Sequence, residues 1–145
     1  MKLDHLGIAV RSVEESLKFY QEVLGLPVQA REDVPEQGVH AALLPVGETR
    51  FELLEATHEE SPIAKFIAKR GEGIHHLCIE VENIEAVLDQ LKAAGMRLVD
   101  ETPRRGVGGH KIAFVHPSGT HGVLIELVEK ERLAISDRPS AETES

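Results

Sequence analysis

Residues 4–10 read Asp4-His5-Leu6-Gly7-Ile8-Ala9-Val10, and residues 75–81 read His75-His76-Leu77-Cys78-Ile79-Glu80-Val81. The two stretches share the pattern His-Leu-x-Ile-x-Val, with His5 and His76 set 71 residues apart. A strand turns successive side chains to opposite faces. Leu6, Ile8 and Val10 therefore share one face, which a helix can cover, while His5, Gly7 and Ala9 point the other way. In the second stretch Leu77, Ile79 and Val81 form the core face, and His76, Cys78 and Glu80 oppose it. Both imidazoles thus occupy the same strand position, beside small residues of the kind that floor a cleft. His75, one residue out of phase, is expected on the opposite face in a structural role.

The repeat extends outward from these strands. Ser12 precedes the helical run Val13–Tyr20, with Glu15 three residues on as in a capping box. Asn83 precedes Ile84–Leu91, where Ile84, Val87, Leu88 and Leu91 make an apolar stripe at i, i+3, i+4 and i+7. Gly25 and Gly95 are expected to stop the two helices. Strands are expected over Val28–Glu32, Val39–Val46 and Thr49–Ala56 in the first half. Arg97–Glu101, Lys111–His116 and Gly122–Glu129 answer them in the second. Each half is then β-α-β-β-β. Ser61-Pro62 opens a linker helix over about 61–70, with an N-cap serine and proline at the first helical position. The fold class is α+β: two tandem βαβββ modules, about 1–58 and 73–130, packed as one domain over residues 1–130. The polar stretch 131–145 is expected to be a disordered tail.

The chain has 145 residues, with 16 Lys and Arg against 25 Asp and Glu, for a net charge of -9. That balance argues against nucleic acid and anionic membranes, which need a basic footprint. No apolar run approaches the roughly 20 residues that span a bilayer. Cys78 is the only cysteine, which excludes an intramolecular disulfide and suits a reducing, cytoplasmic setting.

The closing strands carry the chemistry. Glu52 interrupts the apolar run around Phe51-Glu52-Leu53, and Glu126 interrupts Ile125-Glu126-Leu127. The two carboxylates are equivalent under the repeat, 74 residues apart. Glutamate is almost never buried unless paired or metal-bound, and no Lys or Arg interrupts a neighbouring strand in a matching position. A divalent metal held by His5, Glu52, His76 and Glu126 would satisfy all four side chains at once.

These residues resemble the vicinal oxygen chelate superfamily, in which paired βαβββ modules form a cleft around one metal. Within it the chain is most similar to the methylmalonyl-CoA epimerases, through Glu36-Gln37-Gly38-Val39, Ser61-Pro62-Ile63-Ala64, Gly73–Val81, His116-Pro117 and Gly122–Leu127. The resemblance implies interconversion of (2R)- and (2S)-methylmalonyl-CoA, by removal and return of a proton α to the thioester. It implies metal ligands at His5, Glu52, His76 and Glu126, with Co2+ favoured and Ni2+, Zn2+ or Mn2+ able to serve. Some members carry glutamine at position 52. Some carry a catalytic glutamate where this chain has Ala41, so the two bases are assigned to Glu126 and Glu52, with water or Glu36 as substitutes for the latter. An acyl-CoA partner would place its phosphates near Lys65, Lys69 and Arg70, or near Arg104, Arg105 and Lys111 beside the Gly106–Gly109 loop. A homodimer is expected.

Two other readings use the same scaffold. A glyoxalase I-like lyase would apply a similar His/Glu/His/Glu set to a glutathione hemithioacetal. A non-catalytic small-molecule-binding protein would need no metal, and the intact quartet speaks against it. An iron dioxygenase would want two histidines and one carboxylate, which a fourth ligand at Glu52 disfavours.

Overall fold

Both halves begin their helices with the same local devices. Ser12 Oγ accepts a hydrogen bond from the Glu15 amide at 3.1 Å, and Asn83 Oδ1 accepts one from Ala86 at 3.0 Å. A glutamate from the closing strand then receives the first helical amide: Glu55 from Val13 at 2.8 Å, and Glu129 from Ile84 at 2.9 Å. A carboxylate at a helix N-terminus satisfies an orphan donor and complements the helix dipole. The computed structural model describes residues 1–130, and the tail expected over 131–145 lies outside them.

The first half comprises β1 (Lys2–Ala9), α1 (Val13–Leu17), β2 (Ala30–Val34), β3 (Val39–Val46) and β4 (Thr49–Ala56). After α2 (Pro62–Arg70), the second half repeats the order with β5 (Gly73–Glu80), α3 (Ile84–Ala93), β6 (Arg104–Arg105), β7 (Lys111–Val115) and β8 (Ile125–Glu129). All eight strands form one mixed sheet in the order β2-β3-β4-β1-β5-β8-β7-β6. Each half contributes the same four-strand pattern, and the two meet where β1 and β5 run antiparallel. β1 pairs parallel to β4, and β5 parallel to β8. The two βαβββ modules expected from the repeat are present, paired in the glyoxalase-like fold that the resemblance implies.

Alternation places the core as expected. Val10, Val13, Leu17, Ala42, Leu44 and Leu53 pack under α1. Val81, Ile84, Leu88, Ala113, Val115 and Leu127 pack under α3. On the other face, Ile63 of α2 covers Ala9, Val39, Ala41, Leu43 and Leu54. The linker helix thereby closes part of the cleft side of the first half. No helix among the described residues is long and apolar enough to cross a membrane.

Three local expectations are corrected. The first helix is α-helical only to Leu17 and widens to a π-helical segment over Lys18–Val23. The strand expected at Val28–Glu32 runs instead over Ala30–Val34. No strand forms over Arg97–Glu101: Leu98 makes one isolated bridge to Val115, and the paired segment is β6. The Asp100 carboxylate takes the Phe114 amide at 2.9 Å, in place of a ladder carbonyl, and Pro103 has no amide to donate.

Gly7 stands opposite His76 across the β1–β5 pair. A Cβ added there would lie 2.2 Å from His76 Cε1. Overpacking of this kind costs about 1–3 kcal/mol. Gly7→Ala is expected to lower the urea midpoint accordingly, and an unchanged midpoint would show that the His76 ring does not rest on β1.

Candidate metal centre

The β1–β5 ladder carries two β-bulges, and they decide what faces the cleft. Leu3 pairs with Ile79 and His5 with Cys78, leaving Asp4 as the extra residue of β1. Gly7 pairs with His76 and Ile8 with Ile74, leaving His75 as the extra residue of β5. Asp4 and His75 are equivalent under the repeat, each preceding a cleft-facing histidine. A bulge adds one residue to a strand and re-aims its neighbours. Asp4 Oδ2 consequently lies 2.7 Å from His5 Nδ1, and His75 Nδ1 lies 3.0 Å from His76 Nδ1. The expectation that His75 points to the opposite face is thus corrected: it lines the same cavity as His76.

His5, His76 and Glu126 converge at the floor of that cavity. His5 Nε2 and His76 Nε2 stand 3.2 Å apart. Glu126 Oε1 is 3.2 Å from the first and 3.0 Å from the second. All three side chains are buried. Glu126 reaches the site because it pairs with Cys78 across the parallel β5–β8 ladder, as Glu52 pairs with Gly7 across β1–β4. Ligand bonds of about 2.1 Å meeting at right angles put donor atoms about 3.0 Å apart, so the three donors suit one divalent cation. Imidazole and carboxylate donors fit cobalt, nickel, zinc or manganese alike.

Glu52 lies on the other edge of His5. Its Oε2 is 3.4 Å from His5 Nδ1 and receives Arg50 through Nε at 3.2 Å and Nη2 at 3.0 Å. Arg50 also reaches Asp4 Oδ2 at 3.2 Å. The cation sought in a matching position on a nearby strand is instead Arg50 of Glu52's own strand, and the expectation is corrected to that extent. Arg50 precedes Glu52 by two residues on the same strand face, a phase that the sequence displays. The structure brings three of the four expected ligands together, with Glu52 beside them in the same cavity wall.

Charge at this centre is tightly compensated. Burial opposes ionisation of Asp4, yet His5, Lys130 and Arg50 together hold its carboxyl well below the usual range. Burial likewise disfavours a charged His5, but the Asp4 and Glu126 hydrogen bonds and the Glu52 and Glu126 charges raise it to about 9. Glu126 is pulled down against its own desolvation to about 2 by His5 and His76. Desolvation and the neighbouring His76 lower His75 to about 4, so its ring is neutral. Burial and the surrounding carboxylates push the Cys78 thiol up, which keeps it protonated. Asp4, His5 and Cys78 also cluster within ligating range, but Asp4 is already engaged by Lys130 at 2.7 Å and by Arg50.

The cavity above the centre holds about 260 Å³. Leu54, Ile63, Val99, Val107 and Leu124 make its walls apolar, and Phe114 packs edge-on against His76 at 5.6 Å. The Arg104 guanidinium lies over Phe114, 5.6 Å from the ring centre, and also lines the cavity. A second groove runs along α2, past Lys65, Lys69 and Arg70, and shares His75, His76 and Leu124 with the first. Lys111 is instead engaged by Glu85 at 3.1 Å. His116 closes a turn, its Nδ1 accepting the Ser118 amide at 3.0 Å.

Residues 2–127 match the Glyoxalase/Bleomycin resistance protein/Dioxygenase superfamily. The Bacillus subtilis (strain 168) protein YqjC is 41% identical over 128 residues, 88% of this chain and 91% of that one. The mitochondrial methylmalonyl-CoA epimerase of Homo sapiens is 39% identical over 127 residues, 87% of this chain and 72% of its own length. Among solved structures, a Streptomyces coelicolor methylmalonyl-CoA epimerase variant in complex with 2-nitronate-propionyl-CoA superposes with a TM-score of 0.86 at 36% identity, covering 92% of this chain and 96% of that one. A family match across nearly all the described residues, with relatives this similar over most of their length, places the chain in the Glyoxalase/Bleomycin resistance protein/Dioxygenase superfamily, related at moderate identity to its methylmalonyl-CoA epimerases.

Proposed function

We propose that this protein is a metal-dependent epimerase that interconverts (2R)- and (2S)-methylmalonyl-CoA. The observation that carries the reading is the buried His5, His76 and Glu126 donor set opening onto an apolar cavity, in a chain whose relatives include enzymes of that name. His5, His76 and Glu126 hold the ion and Co2+ is the favoured metal; Glu52, at the Nδ1 edge of His5 and paired with Arg50, stays out of this ligand set. When bound, the ion supplies Lewis-acid stabilisation of the negative charge that develops on the thioester oxygen.

The protein's own residues handle the proton. Glu126 is ionised and faces the cavity, so its carboxylate is placed to remove the hydrogen on the α-carbon. Glu52, contributed by the other half, stands on the opposite side of His5; protonated from solvent, it returns that proton to the other face, and Glu126 then releases the proton it took to water. Ala41 is buried under Ile63 and has no group with which to take that part. Arg50 holds the Glu52 carboxylate in place. Leu54, Ile63 and Leu124 keep the reacting carbon away from bulk water. The groove along α2 offers Lys65, Lys69 and Arg70 to the phosphates of the CoA tail.

Interconversion of (2R)- and (2S)-methylmalonyl-CoA, followed before and after chelation, tests the reading directly. Activity should vanish on chelation and return with Co2+. Inactivity towards this substrate, together with turnover of methylglyoxal and glutathione, would transfer the chain to the glyoxalase I-like reading. Glu126→Gln should lower kcat by about 10²–10⁴-fold in a folded chain; wild-type turnover would remove Glu126 from the chemistry. A third expectation concerns metal uptake. His5 holds its proton up to about pH 9 in the metal-free protein, and ligation must displace it. Apparent Co2+ affinity should therefore rise by about tenfold per pH unit between pH 6 and 8, which competition titration with a chelator measures.

A further inference from the structure

We propose that Asp4 and His75, the two bulged residues, are positioning residues that fix His5 and His76 with Nε2 turned to the centre. The proposal rests on the reading of His5 and His76 as metal ligands. An imidazole can ligate through either nitrogen, and the hydrogen bond made by one determines which is left free. In a regular strand the residue before each histidine would face away from the cleft. Both bulges fall at that residue, so both halves bring a hydrogen-bonding side chain to the Nδ1 edge of the histidine that follows.

Asp4 meets the requirement on the first side. Its Oδ2 is 2.7 Å from His5 Nδ1, while Lys130 Nζ holds Oδ1 at 2.7 Å and Arg50 Nη2 reaches Oδ2 at 3.2 Å. Thr49 Oγ1 donates to the Asp4 carbonyl at 3.1 Å and anchors the bulge itself. A buried carboxylate held at both oxygens does not swing, so the His5 ring is fixed with it. On the second side His75 Nδ1 lies 3.0 Å from His76 Nδ1, and Phe66 packs edge-on against the His75 ring at 5.0 Å. His75 accepts through Nδ1, and the Nδ1 proton of His76 is thereby retained. Gly7 leaves the His76 ring just enough room against β1. Each half thus orients its histidine by the same backbone device and with a different acceptor, anionic in one and neutral in the other.

Titration of the metal-stripped full-length chain with Co2+ tests this separately from turnover. Asp4→Asn, and His75→Phe, which keeps a ring but removes the acceptor, should each weaken Co2+ binding by about 10–100-fold while the chain stays folded. Glu85→Gln, which removes one negative charge at the surface pair with Lys111 and away from the centre, should bind as the parent does. Parent-like affinity in folded Asp4→Asn or His75→Phe overturns the proposal for that residue. An equal loss in Glu85→Gln assigns the Asp4 effect to net charge and overturns it too. In the unaltered Zn2+-loaded chain, slowly exchanging Nδ1 protons should be seen by NMR on both His5 and His76. Metal on either Nδ1 overturns the proposal even if a variant fails to fold. A parent chain that binds no Co2+ removes the metal centre as a whole. Tight Co2+ binding without epimerase activity removes only the substrate assignment.

Discussion

The structure depends on compensating charge that has been taken out of water. Asp4, His5, Glu52, His76 and Glu126 are all buried at the middle of the sheet, where an unpaired ion would cost several kcal/mol. Each finds a partner within 3.4 Å, and the partners come from four strands: β1, β4, β5 and β8. Removing a single strand would strand a charge. The centre therefore adds to the apolar faces in setting the register of the central strands. Arg50 and Lys130 complete the arrangement by holding the carboxylate behind His5.

The symmetry of the halves is close in the backbone and loose in the side chains. Gly7 faces Glu52 as Cys78 faces Glu126, and Glu55 anchors its helix as Glu129 does. The departures concentrate around the cleft. Asp4 is answered by His75, and Arg50, which braces Glu52, is answered by Leu124, which stands two residues before Glu126 and lines the cavity. The same scaffold thus surrounds its two histidines with unlike neighbours.

Much of this was legible in the sequence because strand alternation is a strict period of two. Val39–Val46 and Thr49–Ala56 emerge with the expected bounds; the cleft-facing positions of His5 and His76 follow from phase, and Glu52 and Glu126 stand out by the apolar runs they interrupt. Alternation fails where the period breaks, and a bulge has no compositional mark in Asp4-His5 or His75-His76. That is why His75 was expected on the wrong face. Arg97–Glu101 failed for a different reason: its residues suit a strand, but the Asp100 side chain competes for the amide that a partner strand would need. The Arg50–Glu52 pair was readable from same-face spacing, and a search for cations on neighbouring strands passes over a partner on the same one.

The seam between β1 and β5 has a bearing on how the molecule comes into being. Strands β1 to β4 can associate as soon as the first half leaves the ribosome, but β1 then carries a bare edge of amides and carbonyls, a template for pairing with foreign chains. Its natural neighbour is β5, about 70 residues downstream, and closing so long a loop is slow. Nascent molecules accordingly pass through a period in which the newest-made partner has yet to arrive and the oldest strand is the most exposed to aggregation.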